Sequence, residues 1–206
     1  MAVNLENPLN VDESQINVLK DIRSHAETIS EDNELDDITR SVGRFALIGL
    51  NSYDSCDIYE YQISKILNLT NITTKHGWDG NDDENNEPYE YKPTKVVAGS
   101  NYLSRNVSIN DDSESKINNV SPHKANYNNE EANFVIAIFD QNTSDCICIY
   151  KFKDSIMKES RELNLQESRE RNVARVVYQT SIQKCIQLTN EKGVNYYSWK
   201  NERYFT

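Results

Sequence analysis

The chain has 206 residues, which is enough for one domain with a substantial core and too few for two large domains. Asp and Glu outnumber Lys and Arg by 33 to 22, so that the formal net charge is −11. This balance argues against a nonspecific nucleic-acid coat and against a basic helix on a membrane surface. It leaves a nucleic-acid enzyme open, because metal-binding carboxylates themselves add to the negative count.

The sequence predicts neither a membrane span nor an export signal. No apolar run approaches the roughly 18 residues that a membrane-spanning helix needs, and the opening stretch MAVNLENPLNVDES has neither a basic leader nor an apolar segment behind it. Of the four cysteines only Cys146 and Cys148 are close, and their spacing favours small core residues on one face of a strand over a zinc site. We therefore expect a cytoplasmic protein in a reducing compartment, of bacterial or viral origin alike.

Three helices are predicted in the first third of the chain. The first follows Asp12, which forms a capping box with Gln15, and its inward positions are Ile16, Leu19, Ile22, Ala26 and Ile29. The second lies within residues 34–49, with inward positions Leu35, Ile38, Val42 and Phe45. The third begins after Asp54 or Ser55, and its buried positions are Ile58 or Tyr59, Ile63, Ile66 and Leu67.

After Leu69 the pattern changes to that of a β-hairpin. The stretches TNITTKHGW and EPYEYKPTKVV are rich in β-branched and aromatic residues, and the turn-prone DGNDDENN separates them. Residues 99–132 are polar and lack periodicity, which is typical of a functional loop.

The last third contains the most apolar segments. NFVIAIFDQ and DCICIYKFK predict adjacent antiparallel strands deep in the sheet, and DSIMKESRELNL predicts a short helix. ARVVYQTSI is compatible with a fifth strand, IQKCIQLTNEKG predicts a helix that ends at Gly193, and the aromatic tail VNYYSWKNERYF either covers a sheet edge or joins a partner. The predicted fold class is α/β (α+β), with a central mixed, mainly antiparallel sheet flanked by helices.

The hairpin carries the best candidate for chemistry. If its second strand alternates, Glu90 and Lys92 point to one face and Tyr91 to the other. Asp79 stands at the end of the first strand, where its carboxylate and that of Glu90 could bind Mg²⁺, or Mn²⁺, through hard oxygen ligands. Lys92 could then orient or help to deprotonate an attacking water and stabilise transition-state charge.

This arrangement resembles the PD-(D/E)xK nucleases, a superfamily that includes most type II restriction endonucleases. The resemblance rests on Asp79 and on Glu90-Tyr91-Lys92, and it extends over roughly residues 40–185. It implies that Glu60, on the preceding helix, joins Asp79 and Glu90 as a metal ligand. Trp78 stands where the family often has proline, and Asp82 or Asp83 could replace Asp79 if the turn were tighter.

The resemblance implies a restriction-endonuclease-like domain over residues 1–206. In it, residues 1–50 form N-terminal helices, 52–98 a helix and the catalytic hairpin, 99–132 a polar loop suited to DNA recognition, and 133–206 the remaining sheet and the C-terminal helices. The expected function is Mg²⁺-dependent, sequence-specific cleavage of double-stranded DNA by a homodimer. Because a double-strand break requires two active sites, the dimer follows from the reaction that the family performs.

Residues for DNA contact are less sharply indicated. Candidates for phosphate contacts are Lys95, Arg105, Lys116, Arg169, Arg171 and Arg175. Asp111 and Asp112 lie in the polar loop, and His76 is near Asp79 in sequence, but for each an ordinary solvated surface residue is an open alternative.

Two other functions remain open at the level of sequence. A structure-specific or repair nuclease on the same fold would carry the same residues. A non-enzymatic protein that binds a basic partner through its acidic surface would account better for the net charge. Convergence of Asp79, Glu90 and Lys92 in space would favour an enzyme, because a binding surface has no reason to bring them together.

Overall fold

The computed structural model of the chain describes residues 5–52, 56–72, 78–97, 99–108, 132–170 and 179–205. In this part of the chain, the helices are α1 (Val18–Glu31), α2 (Asp37–Asn51), α3 (Cys56–Ile66), α4 (Asp154–Glu170) and α5 (Ile182–Lys192). The strands are β1 (Glu6–Pro8), β2 (Thr70–Asn71), β3 (Gly80–Asp82), β4 (Glu87–Val96), β5 (Val107–Ser108), β6 (Asn133–Asp140), β7 (Cys146–Lys153), β8 (Gln179–Thr180) and β9 (Tyr196–Lys200).

Seven of these strands form one mixed sheet in the order β1-β9-β7-β6-β4-β3-β2. The pairs β1 with β9 and β4 with β6 are parallel, and the other neighbours are antiparallel. Strands β5 and β8 pair separately. With helices on both faces of the sheet, this is the predicted α/β class with a mainly antiparallel sheet.

The centre of the sheet is buried on both faces. Every residue of β6 is buried, as expected for a strand covered by helices above and below. On one face the core joins the sheet to α1, α2 and α3, and its largest helical members are Leu19, Leu50, Tyr59, Ile63 and Ile66. On the other face it joins the sheet to α4 and α5, through Ile156, Met157, Ile182, Cys185 and Leu188.

Most predicted elements are confirmed, with shifted ends. The two apolar strands are β6 and β7, and Gly193 ends α5 in the left-handed region at φ 67°. The hairpin is present as β3 and β4, but β3 lies within the segment 79–86 that was predicted to be the turn, and the predicted first strand contributes β2. Asp12 caps a separate 3-10 turn, so that α1 begins only at Val18, while α4 continues to Glu170. Most of the suggested fifth strand lies outside the described residues, apart from β8.

Both chain ends differ from the prediction. The aromatic tail does not cover an edge, because β9 is inserted in the sheet between β7 and β1. The N-terminal segment contributes β1, which the sequence did not suggest. Glu6 holds the two together, since its carboxylate accepts hydrogen bonds from Ser198 at 2.5 Å and Lys200 at 2.5 Å.

The predicted inward face of α2 is wrong. Ile38, Val42 and Phe45 are exposed, and so is Ile22 on α1. The reason is Gly43, on the opposite side of α2, where an added Cβ would lie 2.8 Å from the Ala26 carbonyl oxygen of α1. The two helices therefore approach through their smallest residues, and the large apolar side chains of α2 point outward.

The cysteines are core residues, as predicted, but not on one face. Cys146 and Cys148 are fully buried, yet Cys146 packs towards α3 and Cys148 towards α5. The register shifts here, because Phe139 pairs with Cys146 whereas Ile138 pairs with Cys148. The extra residue is a β-bulge, which breaks the strict alternation. Among the described helices, none has the length and apolar character needed to cross a bilayer.

Candidate active site

Asp79 is held by backbone contacts at the open end of the β3–β4 hairpin. Its NH donates to the Tyr89 carbonyl at 2.9 Å, and its carbonyl accepts from the Ile72 NH at 2.8 Å. Its side-chain Oδ2 accepts from the Tyr91 NH at 2.7 Å. The carboxylate is thereby fixed beside the strand that carries Glu90 and Lys92.

Gly80 and Tyr91 explain how β3 and β4 pack closely beside Asp79. Tyr91 is fully buried on the face opposite Glu90 and Lys92, as the alternation predicted, and its hydroxyl accepts a hydrogen bond from Ser64 of α3 at 3.2 Å. A Cβ on Gly80 would lie 1.9 Å from the Tyr91 Oη, so that glycine provides space there. The hairpin is thus packed directly against the helix that carries Glu60.

Glu90 and Lys92 form an ion pair on the other face of β4. The Lys92 Nζ lies 2.5 Å from Glu90 Oε1, and both side chains are about 15% exposed. The ammonium also lies 5.9 Å from the centroid of the Phe134 ring on the neighbouring strand β6. The predicted common face is confirmed, and the pair is too buried to count as an ordinary surface ion pair.

Burial sets the electrostatics of the four side chains. Desolvation raises the pKa of Asp79 to about 6, and the Tyr91 NH opposes this shift while the Glu60 charge adds to it. Desolvation likewise raises the pKa of Glu90 to about 7, against the opposing effect of Lys92. The pKa of Glu60 is also raised, mainly by burial. The pKa of Lys92 is raised despite its desolvation, because Glu90, Asp79 and Glu60 all favour the ammonium.

The structure places Asp79, Glu90 and Lys92 at one hairpin, through the Asp79–Tyr91 hydrogen bond and the Glu90–Lys92 ion pair. Glu60 lies on α3, near enough for its charge to affect the pKa of Asp79 and Lys92. The charge of Asp79 raises the pKa of Glu90, and the charges of Glu90, Asp79 and Glu60 raise the pKa of Lys92. Asp82 and Asp83 are elsewhere. Asp82 caps the β3–β4 turn through the NH groups of Glu84 and Asn85, and Asp83 accepts a 2.5 Å hydrogen bond from Thr70. Of the three aspartates that the sequence left open, Asp79 is the one bonded to the strand segment that carries Glu90 and Lys92, and its role as a metal ligand stays a prediction.

Asp154 is a nearby acid that the sequence did not reveal. It is the first residue of α4, it is only 7% exposed, and its charge contributes to the raised pKa of Glu90. Its NH bonds to the Ala132 carbonyl, which precedes β6. An aspartate that follows a strand and begins a helix is an ordinary cap in sequence, so only the pairing of β4, β6 and β7 could place it here.

Of the predicted DNA-contact residues, the structure describes the side chains of Lys95 and Arg105. Lys95 lies five positions from Glu90 and so on the opposite face, where its Nζ donates to the Ser52 carbonyl at 2.7 Å. Lys95 therefore does not extend the surface of β4 that carries Glu90 and Lys92, and its predicted contact with DNA phosphate gains no support from the strand. Arg105 is exposed after the 3-10 helix Tyr102–Ser104. Outside the described residues lie His76, Asp111, Asp112, Lys116, Arg171, Arg175 and the side chain of Arg169.

The donor atoms suit a hard divalent cation. When Asp79 and Glu90 are both ionised, Glu90 Oε2 is buried and accepts no hydrogen bond from the described residues. An unsatisfied buried carboxylate oxygen beside Asp79 is an oxygen ligand of the type that Mg²⁺ and Mn²⁺ prefer. Yet the described residues contain no three His, Cys, Asp or Glu side chains already arranged as a metal centre. In this structure the positive charge among the acids is the Lys92 ammonium.

Comparison with known proteins does not assign the chain to a family. No protein-family model matches the chain, and no curated protein matches its sequence. The resemblance to PD-(D/E)xK nucleases stays a prediction from the sequence residues named above.

Proposed function

We propose that this protein is a metal-dependent endonuclease that hydrolyses phosphodiester bonds in double-stranded DNA, of the sequence-specific type II restriction-enzyme kind. The supporting observation is the convergence of Asp79, Glu90 and Lys92 at one hairpin. Glu60, on the preceding helix, is near enough for its charge to contribute to the raised pKa of Asp79 and of Lys92.

Asp79, Glu90 and Glu60 would hold Mg²⁺ or Mn²⁺. The bound cation would supply Lewis-acid stabilisation of the phosphoryl oxygens and would make a water more acidic. Asp79 and Glu90 bring their carboxylates to the reaction with little freedom to move, because one is bonded to the Tyr91 NH and the other is half of an ion pair.

Lys92 acts as a cation in this proposal. Since its three acidic neighbours raise its pKa, the amine keeps its proton at neutral pH. The ammonium can donate a hydrogen bond to the attacking water and attract the negative charge that gathers on the phosphoryl oxygens in the transition state. A role as a general base, which requires the neutral amine, is disfavoured by the same neighbours.

The burial of the site weighs against a purely acidic binding surface. A protein that attracts a basic partner gains from exposed carboxylates, whereas Asp79 and Glu90 are partly desolvated at a cost in free energy. A repair or structure-specific nuclease would use the same four residues, so the choice of DNA substrate separates it from a restriction enzyme.

The test is cleavage of supercoiled plasmid and of modified and unmodified phage DNA with Mg²⁺. We expect discrete fragments from the wild type, and losses of about 100-fold or more for Asp79→Asn, Glu90→Gln and Lys92→Met. Asp82→Asn is the matched control, because it removes a carboxylate from the same hairpin but outside the site. A folded wild type that cuts none of these DNAs would overturn the proposal.

A second readout tests the cation directly. Titration of Mg²⁺ or Mn²⁺ into the DNA-free protein should show binding to the wild type and to Asp82→Asn, and markedly weaker binding to Glu90→Gln. Equal binding by all three proteins would contradict the assigned ligands even if the wild type cuts DNA.

A further inference from the structure

Helix α2 exposes an unusual row of large apolar side chains. Ile38, Val42, Phe45 and Ile48, the α2 stripe, are 57 to 78% exposed. The opposite side of the same helix is packed, with Gly43 against α1 and Leu50 in the core. Thus α2 is apolar on two sides, and the described residues of the chain cover only one of them.

The stripe is continuous and extends towards the active-site helix. Ile38, Val42 and Phe45 are spaced by four and three residues, which puts them in line along one face of a helix. Gly49 follows on that line, and an added Cβ there would lie 3.3 Å from Ile58 of α3, itself an exposed apolar residue. The apolar surface therefore reaches the helix that carries Glu60.

The size of this surface fits a protein interface. The four side chains expose on the order of 500 Å² of apolar area, at the upper end of what one patch on a monomer covers. A stable complex buries about 800 Å² on each partner, of which an apolar centre and a polar rim are the usual parts. The stripe has the size of such a centre, and Asp37, Ser41 and Arg44 lie along its rim.

The charges beside the stripe match those of a second copy. Asp37 and Arg44 are seven residues apart, and so lie on the same flank of α2. In an antiparallel pair of identical helices related by a two-fold axis, equal flanks face each other with reversed direction. With the axis near Val42, Ile38 meets Phe45 of the second copy, and Asp37 lies within reach of the second copy's Arg44. Among the described residues Arg44 has no ion pair. Asp37 pairs with Arg40 of its own helix, but its side chain is 92% exposed, so that it can also face the Arg44 of a second copy.

We propose that the α2 stripe is a self-association surface, on which α2 packs antiparallel against α2 of a second copy of this chain. This association requires neither bound DNA nor catalytic activity. If the proposed nuclease function holds, the dimer also supplies the two active sites that double-strand cleavage requires, because each copy carries one site. Helix α3, which carries Glu60, follows α2 directly in the chain.

The experiment measures the mass of the full chain in solution by sedimentation equilibrium, without DNA or metal. Val42→Glu would bury a charge in the pair, whereas Val97→Glu alters an equally exposed valine outside the stripe, at 56% against 57%. We expect a dimer for the wild type and for Val97→Glu, and a dimer at least about 100-fold weaker for Val42→Glu. Circular dichroism confirms that all three proteins are folded.

Charge reversal tests the antiparallel register. Arg44→Glu should weaken the dimer, and Arg44→Glu combined with Asp37→Lys should restore part of the loss. A wild type that stays monomeric at about 100 µM, far above the Kd of a stable dimer, overturns the proposal and points to another partner for the stripe. Equal dimerisation of Val42→Glu and the wild type also overturns it, because association then uses another surface.

The two proposals can fail separately. An inactive wild type that dimerises through α2 contradicts the nuclease and leaves the dimer intact. A wild type that nicks supercoiled plasmid as a monomer contradicts the dimer and leaves the nuclease intact.

Discussion

Asp79 Oδ2 accepts a 2.7 Å hydrogen bond from the backbone NH of Tyr91, so the first carboxylate of the site is anchored to the strand that carries the other two groups. Glu90 and Lys92 flank Tyr91 in sequence and point to the opposite face from its ring. The distances within the site are therefore set by the β3–β4 pairing and not by a flexible loop. Pre-organisation of this kind has an energetic cost that can be measured.

Asp79→Asn should stabilise the metal-free protein while it removes activity. The amide oxygen can still accept from the Tyr91 NH, but a buried charge whose pKa is raised by desolvation disappears. We expect a gain on the order of 1 kcal/mol in the free energy of unfolding, measured by urea denaturation in EDTA.

Asp82→Asn should have the opposite sign. The Asn85 side chain and the NH groups of the turn lower the pKa of Asp82, so this carboxylate favours the folded state. Asp82→Asn should leave stability unchanged or reduce it slightly, with DNA cleavage retained. Stabilisation by Asp82→Asn, or destabilisation by Asp79→Asn, would contradict the assigned electrostatics.

The stability of the metal-free protein should fall as the pH rises through neutrality. In the unfolded chain Asp and Glu titrate near pH 4, whereas the folded-state pKa is about 6 for Asp79 and about 7 for Glu90. Between these values the folded state binds more protons than the unfolded state, so each step to higher pH costs stability. We expect a loss on the order of 2 kcal/mol between pH 5 and pH 8 from this pair, measured by urea denaturation in EDTA.

Glu90→Gln isolates this effect from all other titrating groups. The variant should lose clearly less stability over the same interval, because the glutamine does not titrate. Parallel pH profiles of the wild type and Glu90→Gln would show that the pair does not titrate in this range.

The two lysines of β4 should separate function from stability. Lys95 donates to the Ser52 carbonyl just after the C-terminus of α2, where a cation also complements the helix dipole. Lys95→Met should therefore lower the free energy of unfolding by about 1 kcal/mol and leave cleavage by the folded protein intact. Lys92→Met should abolish cleavage. A drop in the kcat of Lys95→Met as large as that of Lys92→Met would restore a catalytic or DNA-binding role for Lys95.

Local patterns were enough to predict the second strand of the hairpin and the Glu90–Lys92 pair, whereas the first strand formed within the predicted turn. A turn-rich segment between β-branched runs specifies a hairpin, and strict alternation places residues 90 and 92 on one face. Helix α3 followed in the same way from its spacing of apolar residues. The position of Glu60 beside the hairpin came only from the resemblance, because no local pattern tells which side of a helix meets a given strand.

The features that the sequence did not predict all depend on contacts between segments far apart in the chain. The insertion of β9 between β7 and β1 pairs residues 190 positions apart, and the approach of Asp154 to Glu90 needs the parallel pairing of β4 with β6. The face of α2 was wrong because apolar periodicity identifies a face that can be buried, without showing what buries it. On α2, the close fit of Gly43 decides which side meets α1.

The two glycines of α2 offer a test of that close fit. Alanine favours a helix over glycine by about 1 kcal/mol, so both Gly43→Ala and Gly49→Ala gain the same propensity. At Gly43 the new methyl would lie 2.7 Å from Ile29 Cγ1 and 2.8 Å from the Ala26 carbonyl oxygen, and the backbone of α1 cannot move aside without repacking. At Gly49 it would meet only the end of the Ile58 side chain at 3.3 Å.

We expect Gly43→Ala to lower the free energy of unfolding by about 1 to 3 kcal/mol and Gly49→Ala to leave it unchanged or raise it, as measured by thermal and urea denaturation. If Gly43→Ala is as stable as Gly49→Ala, α2 does not pack on α1 through Gly43, and the outward orientation of Ile38, Val42 and Phe45 loses its physical basis.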